Sequence, residues 1–223
     1  MKTLHTDIAV LGAGTAGLAA YRAAKAAGKR ALLIEGGPYG TTCARVGCMP
    51  SKLLIAAAEA AHNAAHTEPF GVHVQGEIAV DGVAVMDRVK RERDRFVGFV
   101  LEGVENIPAE DKIRGYARFV SDTVLRVDEH TEIHASRVVI ATGSRPAVPP
   151  PFRGLGDRLV LNDDVFACDD LPRRVAVFGP GVIGLELGQA LARLGVEVRV
   201  FGVSGSLGGI SDPQVRHSAR KIF

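Results

Sequence analysis

Only three of the 223 residues are cysteine, too few for the disulfide framework on which small secreted domains depend. A reversible, catalytic dithiol is the use of cysteine that suits a reducing cytosol. The formal net charge is only +2, which gives no electrostatic case for nucleic acid or a membrane surface as partner. The dense basic stretch from Arg88 to Arg95 is interrupted by Glu92 and Asp94 and reads as a solvated helix face. No apolar run reaches the length of a membrane span. The alanine-rich start does not read as a signal peptide, because Asp7, three spaced glycines and Arg22-Ala23-Ala24-Lys25 break it. The expectation is a cytoplasmic chain with core enough for one large or two small domains.

What the chain does have is a repeated pattern. Ile8 to Leu11 is a short apolar run, Ala16 to Ala27 an alanine-rich helix with Gly28 as its stop, and Ala31 to Ile34 a second apolar run. Together they predict a βαβ unit. Helices are predicted from Pro50 to about His66 and from Val85 to Val104, the latter with Met86, Val89, Phe96, Val97, Val100, Leu101 and Val104 largely on one face. Short antiparallel strands are expected at Ala117 to Val120, Val124 to Val127 and Glu132 to His134, then an apolar strand at Arg137 to Ala141. Four prolines between Pro146 and Pro151 mark a stiff boundary. A second βαβ unit follows, with strand Arg174 to Phe178, helix Val182 to Leu194 and strand Val196 to Phe201, and a helix begins at Val215. The expected class is α/β, a Rossmann-like fold with two nucleotide-binding units and a small antiparallel insertion. The expected domains are 1–148 and 149–223, the second truncated, since a doubly wound domain needs more than one βαβ.

Both units carry G-x-G-x-x-G between strand and helix. In the first, Gly12 permits the tight turn, Gly14 lets backbone approach a pyrophosphate, and Gly17 lets helix pack on strand. The helix start offers N–H groups to phosphate. Glu35, 23 residues after Gly12, stands where a carboxylate accepts from ribose hydroxyls. Gly179, Gly181 and Gly184 repeat the fingerprint. There the expected acidic position holds Gly202 and the next holds Val203, so neither the NAD-type carboxylate nor an NADP-type arginine is visible.

The segment Gly40-Thr41-Thr42-Cys43-Ala44-Arg45-Val46-Gly47-Cys48-Met49-Pro50-Ser51-Lys52 follows the first unit. Cα atoms five residues apart on a regular helix are roughly 8.6 Å apart, and a disulfide needs about 4.4–6.8 Å. A bridge there requires an irregular segment, for which Gly40 and Gly47 supply freedom. Cys48 just before the Pro50 helix is placed for thiolate stabilisation. The alternatives are two buried free thiols or part of a metal site, for which only Cys168 and scattered histidines remain. Cys168 reads as structural.

These residues resemble the redox motif of the flavin-dependent disulfide reductases, the class I pyridine nucleotide-disulfide oxidoreductases. Pro50-Ser51-Lys52 is more like the dihydrolipoamide dehydrogenase and mercuric reductase branches than the glutathione reductase branch. The resemblance runs from Asp7 to Asp212 and corresponds to the first half of a family member. Thr41 stands where a second glycine is common, and Arg45 where asparagine is common. The resemblance implies FAD at the first fingerprint, NAD or NADP at the second, and a Cys43–Cys48 redox disulfide. Cys48 would face the flavin and Cys43 exchange with substrate. It further implies that Thr42, Lys52, Thr142 and Gly143 border the flavin nucleotide, that Gly115 to Ala117 border the adenine, and that Lys52 pairs with Glu186. Val182 stands where some relatives gate the nicotinamide pocket with tyrosine.

The implied activity is transfer of two electrons between NAD(P)H, FAD, the disulfide and a dithiol such as dihydrolipoamide or a lipoyl domain, in a homodimeric full-length parent with a role in cell redox homeostasis. The family's base is a histidine–glutamate pair from the other subunit. His5, His62, His66, His73, His130, His134 and His217 match no such motif, so the chain alone is expected to be inactive. A mercuric or other disulfide reductase, or a non-catalytic nucleotide-binding fragment, remains the alternative.

Overall fold

The computed structural model describes residues 1–202 and 207–222; Val203 and Phe223 lie outside the described residues. The chain forms two compact units, one of Met1–Arg45 and Asp94–Ala147, the other of Val46–Arg93 and Val148–Phe223. Residues 46–93 thus go with the second unit.

In the first unit, β1 (Lys2–Leu11), α1 (Thr15–Ala26) and β2 (Ala31–Glu35) make the βαβ motif. They are joined by β3 (Lys112–Arg114), β4 (Ala117–Ser121), β5 (Val124–Val127) and β6 (Thr131–Ile140) in one sheet of order β3-β2-β1-β6-β5-β4. The pairs β3–β2, β2–β1 and β1–β6 are parallel, and β6–β5 and β5–β4 are antiparallel. Strand residues alternate between faces. Val10 and Leu33 pack with Leu18, Tyr21, Val104 and Ile107, while Ala9, Leu11, Leu32 and Ile34 pack with Leu125, Val127 and Ile133. Burial on both faces explains why these strands read as unbroken apolar runs.

Two expectations change here. Glu132 to His134 and Arg137 to Ala141 are not separate strands but one, β6, which pairs with β5 over its first part and with β1 along its length. Ala135 is buried while Ser136 and Arg137 are both exposed, yet the strand runs on through them. The antiparallel strands are therefore an extension of the main sheet. β3, three residues long, was too short to register as a strand.

In the second unit, α5 (Val182–Arg193) packs on a parallel pair, β7 (Arg174–Phe178) and β8 (Glu197–Phe201), and α3 (Cys48–Ala65) packs on α5. Leu54, Ala58, Met86, Val89, Phe166, Leu187, Ala190 and Leu191 form its core. The unit boundary falls within α4 (Gly82–Glu105), whose Met86 and Val89 lie in this core and whose Val104 lies in the other. A short α2 (Thr42–Val46) precedes α3, and α6 (Pro213–Ala219) starts two residues earlier than expected, where the Asp212 carboxylate accepts from the N–H groups of Gln214 and Val215.

Candidate flavin and nicotinamide nucleotide sites

The first fingerprint sits at the carboxyl end of β1, between neighbours β2 and β6 on either side, which is where an open parallel sheet reverses its strand order and binds ligands. Gly12 has φ +102° and donates its N–H to the Ile34 carbonyl at 2.8 Å. A Cβ on it would run into the Ala141 carbonyl oxygen, and one on Gly17 into the Gly12 carbonyl oxygen. Gly14 differs: nothing lies within 4 Å of where its Cβ would stand. It caps α1, which has no side-chain cap and no acidic residue in its first turn. Open space in front of uncapped N–H groups fits a phosphate. Ala141 donates to the Leu11 carbonyl at 2.8 Å, so Thr142 and Gly143 emerge from β6 beside the fingerprint.

Glu35 ends β2 and lies against this loop. Its Oε2 accepts from Ala13 N–H at 2.7 Å and its Oε1 from Gly37 N–H at 2.6 Å. Each oxygen keeps a further lone pair for a ribose hydroxyl. The loop-fastening role was missed in the sequence, although Gly36-Gly37 after an acidic residue is the signal of a turn that brings N–H groups back to it. Gly115 donates to the Glu35 carbonyl at 3.1 Å, which sets Gly115 and Ala117 next to the same strand end. Tyr116, exposed and also missed, lays its ring against Gly36, where a Cβ would stand 2.6 Å from the ring's Cγ.

The cysteine segment is irregular, as the spacing argument required. Cys43 lies in α2 and Cys48 is the first residue of α3, with Gly47 between the helices at φ −130°, ψ −113°. Among the described residues the cysteines are thiols. Cys48 is exposed and Cys43 half-buried; α3 has no side-chain cap and no acidic residue in its first turn, so Cys48 stands among its unmet N–H groups. Thr41, before α2, has φ +59°, a conformation unfavourable for a β-branched residue. Its Oγ1 accepts from Ala44 N–H at 3.2 Å. Thr42 is exposed at the head of α2. Cys168 is half-buried and packs on the second unit's core.

Within the second unit, Lys52 on α3 and Glu186 on α5 meet at 2.5 Å. The pairing expected from resemblance is present, but the lysine side chain is 62% exposed rather than buried. The second fingerprint repeats the turn of the first, except that nothing lies within 4 Å of where a Gly179 Cβ would stand. Gly179 has φ +119° and donates to Phe201, a Cβ on Gly184 would run into the Gly179 carbonyl, and Gly181 caps α5 with open space about it. Val182 is exposed.

The histidines are dispersed. His62 and His66 lie with tilted rings at the end of α3, and His5 stacks on His134. Desolvation, then Arg193 and His66, hold the His62 pKa below its usual value. The His134 ring donates to Glu132 and, with Arg126, holds that carboxyl below the ordinary range. Among the described residues no three potential ligands are grouped for a metal ion.

A match to the family described as "Pyridine nucleotide-disulphide oxidoreductase" spans residues 6–223. The chain belongs to that family. Members use FAD and NAD(P)H, which accords with the two fingerprints. Pyridine nucleotide-disulphide oxidoreductases similar to it include the dihydrolipoyl dehydrogenase of Chlamydia trachomatis serovar D, 32% identical over 216 residues, covering 94% of this chain and 45% of the relative. The mercuric reductase of Shigella flexneri is 34% identical over 222 residues, covering 97% and 39%. Among solved structures, the Cu(II) complex of the HOCl-induced flavoprotein disulfide reductase RclA from Escherichia coli superposes with a TM-score of 0.79 at 25% identity, covering 97% of this chain and 46% of that one. The chain spans about half the length of the curated relatives it matches. No helix among the described residues is long and apolar enough to cross a membrane.

Proposed function

We propose that this chain supplies the nucleotide sites and the redox dithiol of a dithiol–disulfide oxidoreductase whose substrate is a dithiol of the dihydrolipoamide class. The observation that carries the reading is Cys48, exposed at the uncapped start of α3 and separated from Cys43 by a helix break at Gly47. Residues 1–148 serve as the FAD domain and 149–223 as the start of the NAD(P) domain. Gly12, Gly14 and Gly17 hold the pyrophosphate, Glu35 the ribose, Gly115 to Ala117 the adenine, and Thr42, Lys52, Thr142 and Gly143 border the flavin. Gly179, Gly181 and Gly184 hold the nicotinamide nucleotide.

FAD, when bound, would supply the hydride exchange with a nicotinamide that neither thiols nor carboxylates provide. Cys43 exchanges with the substrate dithiol. The substrate's two sulfurs leave joined as a disulfide, its two electrons pass into the Cys43–Cys48 bond, which opens, and its two protons go to a base and to solvent. Cys48, at the start of α3, is the sulfur that faces the flavin. Lys52 presents positive charge, oriented by Glu186.

His134 pairs with Glu132 two residues away in β6, but no histidine of this chain matches the base motif that the resemblance implies, so the isolated chain is proposed to lack turnover. The parent is proposed to be a cytoplasmic homodimer. A metal-ion reductase is the second reading, favoured by the 34% identity to a mercuric reductase.

Titrating the purified chain with FAD, and counting thiols before and after mild oxidation, tests the first reading. Stoichiometric flavin binding with loss of two thiols, abolished in both Cys43→Ser and Cys48→Ser and kept in Cys168→Ser, is expected. A chain that binds no flavin, or that loses thiols equally in all three variants, refutes it.

A further inference from the structure

The two fingerprints differ at two linked positions. Gly202 follows Gly179 by the same 23 residues that separate Glu35 from Gly12, so it holds the place of the acidic residue. In the first site the middle residue of the turn, Ala13, gives its N–H to that carboxylate. In the second the middle residue is Pro180, which has no N–H to give. The volume is taken as well: a Cβ on Gly202 would overlap Pro180 Cγ and lie 2.6 Å from its Cδ. The ring cannot swing aside as a long side chain would, because it is tied into the backbone. Nor is the loop free to retreat. Gly179 donates to the Phe201 carbonyl at 2.9 Å, and Gly208 donates to the Pro180 carbonyl at 2.6 Å.

We propose that Pro180 and Gly202 are one specificity-determining pair, in which the proline ring fills the space and removes the backbone donor of the carboxylate that would select a 2′-hydroxyl. The second fingerprint therefore accepts dinucleotides with and without a 2′-phosphate. This rests on the nicotinamide-nucleotide reading of Gly179 to Gly184. It also alters the simplest engineering route: Gly202→Glu alone brings a carboxylate that has neither room nor a partner, whereas Pro180→Ala with Gly202→Glu restores the arrangement of Ala13 and Glu35.

Binding of ADP-ribose and 2′-phospho-ADP-ribose to the 223-residue chain, measured by calorimetry on wild type, the two single variants and the double variant, tests the pair. Wild type is expected to bind both ligands within about threefold of each other, and the double variant to prefer ADP-ribose by about tenfold or more, the size of a charge-assisted hydrogen bond gained and a phosphate repelled. Wild type discriminating by about tenfold, or Gly202→Glu alone matching the double variant, overturns the proposal. If wild type binds neither ligand, the nicotinamide reading falls instead. Melting curves of the same four proteins need no ligand and still decide the steric half: Gly202→Glu should melt lower than wild type and the double variant should recover, while additive losses overturn it.

Discussion

Replacing Glu35 by glutamine separates its role in the loop from any role toward a ligand. The carboxylate accepts from Ala13 N–H on one oxygen and from Gly37 N–H on the other, at 2.7 and 2.6 Å. Glutamine has one acceptor oxygen, so one of these N–H groups would face an amide NH2. Hydrogen bonds to a charged acceptor contribute about 1.5–3 kcal/mol each, and a buried donor left unmet costs about 1–3 kcal/mol. Glu35 is only half-buried, which points to the lower end, about 2 kcal/mol for the substitution. For a chain of this size that lowers the melting temperature by roughly 4–8 °C. The assay is differential scanning fluorimetry of the flavin-free chain, with Glu35→Asp as a second variant that keeps the charge but shortens the reach. A Glu35→Gln chain that melts with wild type while losing flavin affinity would refute the loop-fastening argument and leave Glu35 a ligand contact alone.

Tyr21, buried, donates to Asp111 Oδ2 at 2.6 Å, so Tyr21→Phe should cost about 1.5–3 kcal/mol in urea unfolding; no change would show that the bond is not made in solution. Thr41→Asn keeps a capping oxygen while tolerating φ +59° and should stabilise the chain by about 0.5–1 kcal/mol; a loss would mean that the Thr41 methyl packs usefully. Hydrogen bonding to Arg30 N–H, to His134 and to Lys90 lowers the pKa of Asp7, Glu132 and Asp169 respectively. Depressed carboxyl values stabilise the fold above the unfolded-state values of 3.8 and 4.5 and that stability is lost as pH falls through the lower folded values. Melting temperature should decline as pH falls through 6.5, where the unfolded chain protonates His62 before the folded one does, and fall further below about pH 5; a rise on acidification contradicts the sign.

The sequence carried the βαβ units, both fingerprints and the broken cysteine segment, because each depends on local rules: alternating burial, glycine where backbones touch, and a spacing that no regular helix can bridge. The pairing of Lys52 with Glu186 came from resemblance, and the structure bears it out. What the sequence hid was set by distant neighbours. The segments Glu132 to His134 and Arg137 to Ala141 were expected as two strands and run together in β6. Residues 46–93 joined the second unit through Leu54, Ala58, Met86 and Val89, whose partners lie about a hundred residues away in sequence, beyond any local period. The obstruction of Gly202 by Pro180 is likewise a contact between two turns, with nothing in either turn alone to announce it.

The pairing of β1 with β6 has a consequence for the order in which the molecule is made. The partners Leu11 and Ile140 are roughly 130 residues apart, whereas β1 meets β2 within a short βαβ unit, and closing so long a loop costs entropy before its contacts repay it. On a ribosome the glycine turn after β1 emerges early and waits, with half of its walls, until β6 has been synthesised. A nucleotide that touches both β1 and β6 therefore cannot help the chain find its fold. It can only lock the last long-range pairing once made, so flavin supply should govern how long the finished unit survives rather than how fast it forms.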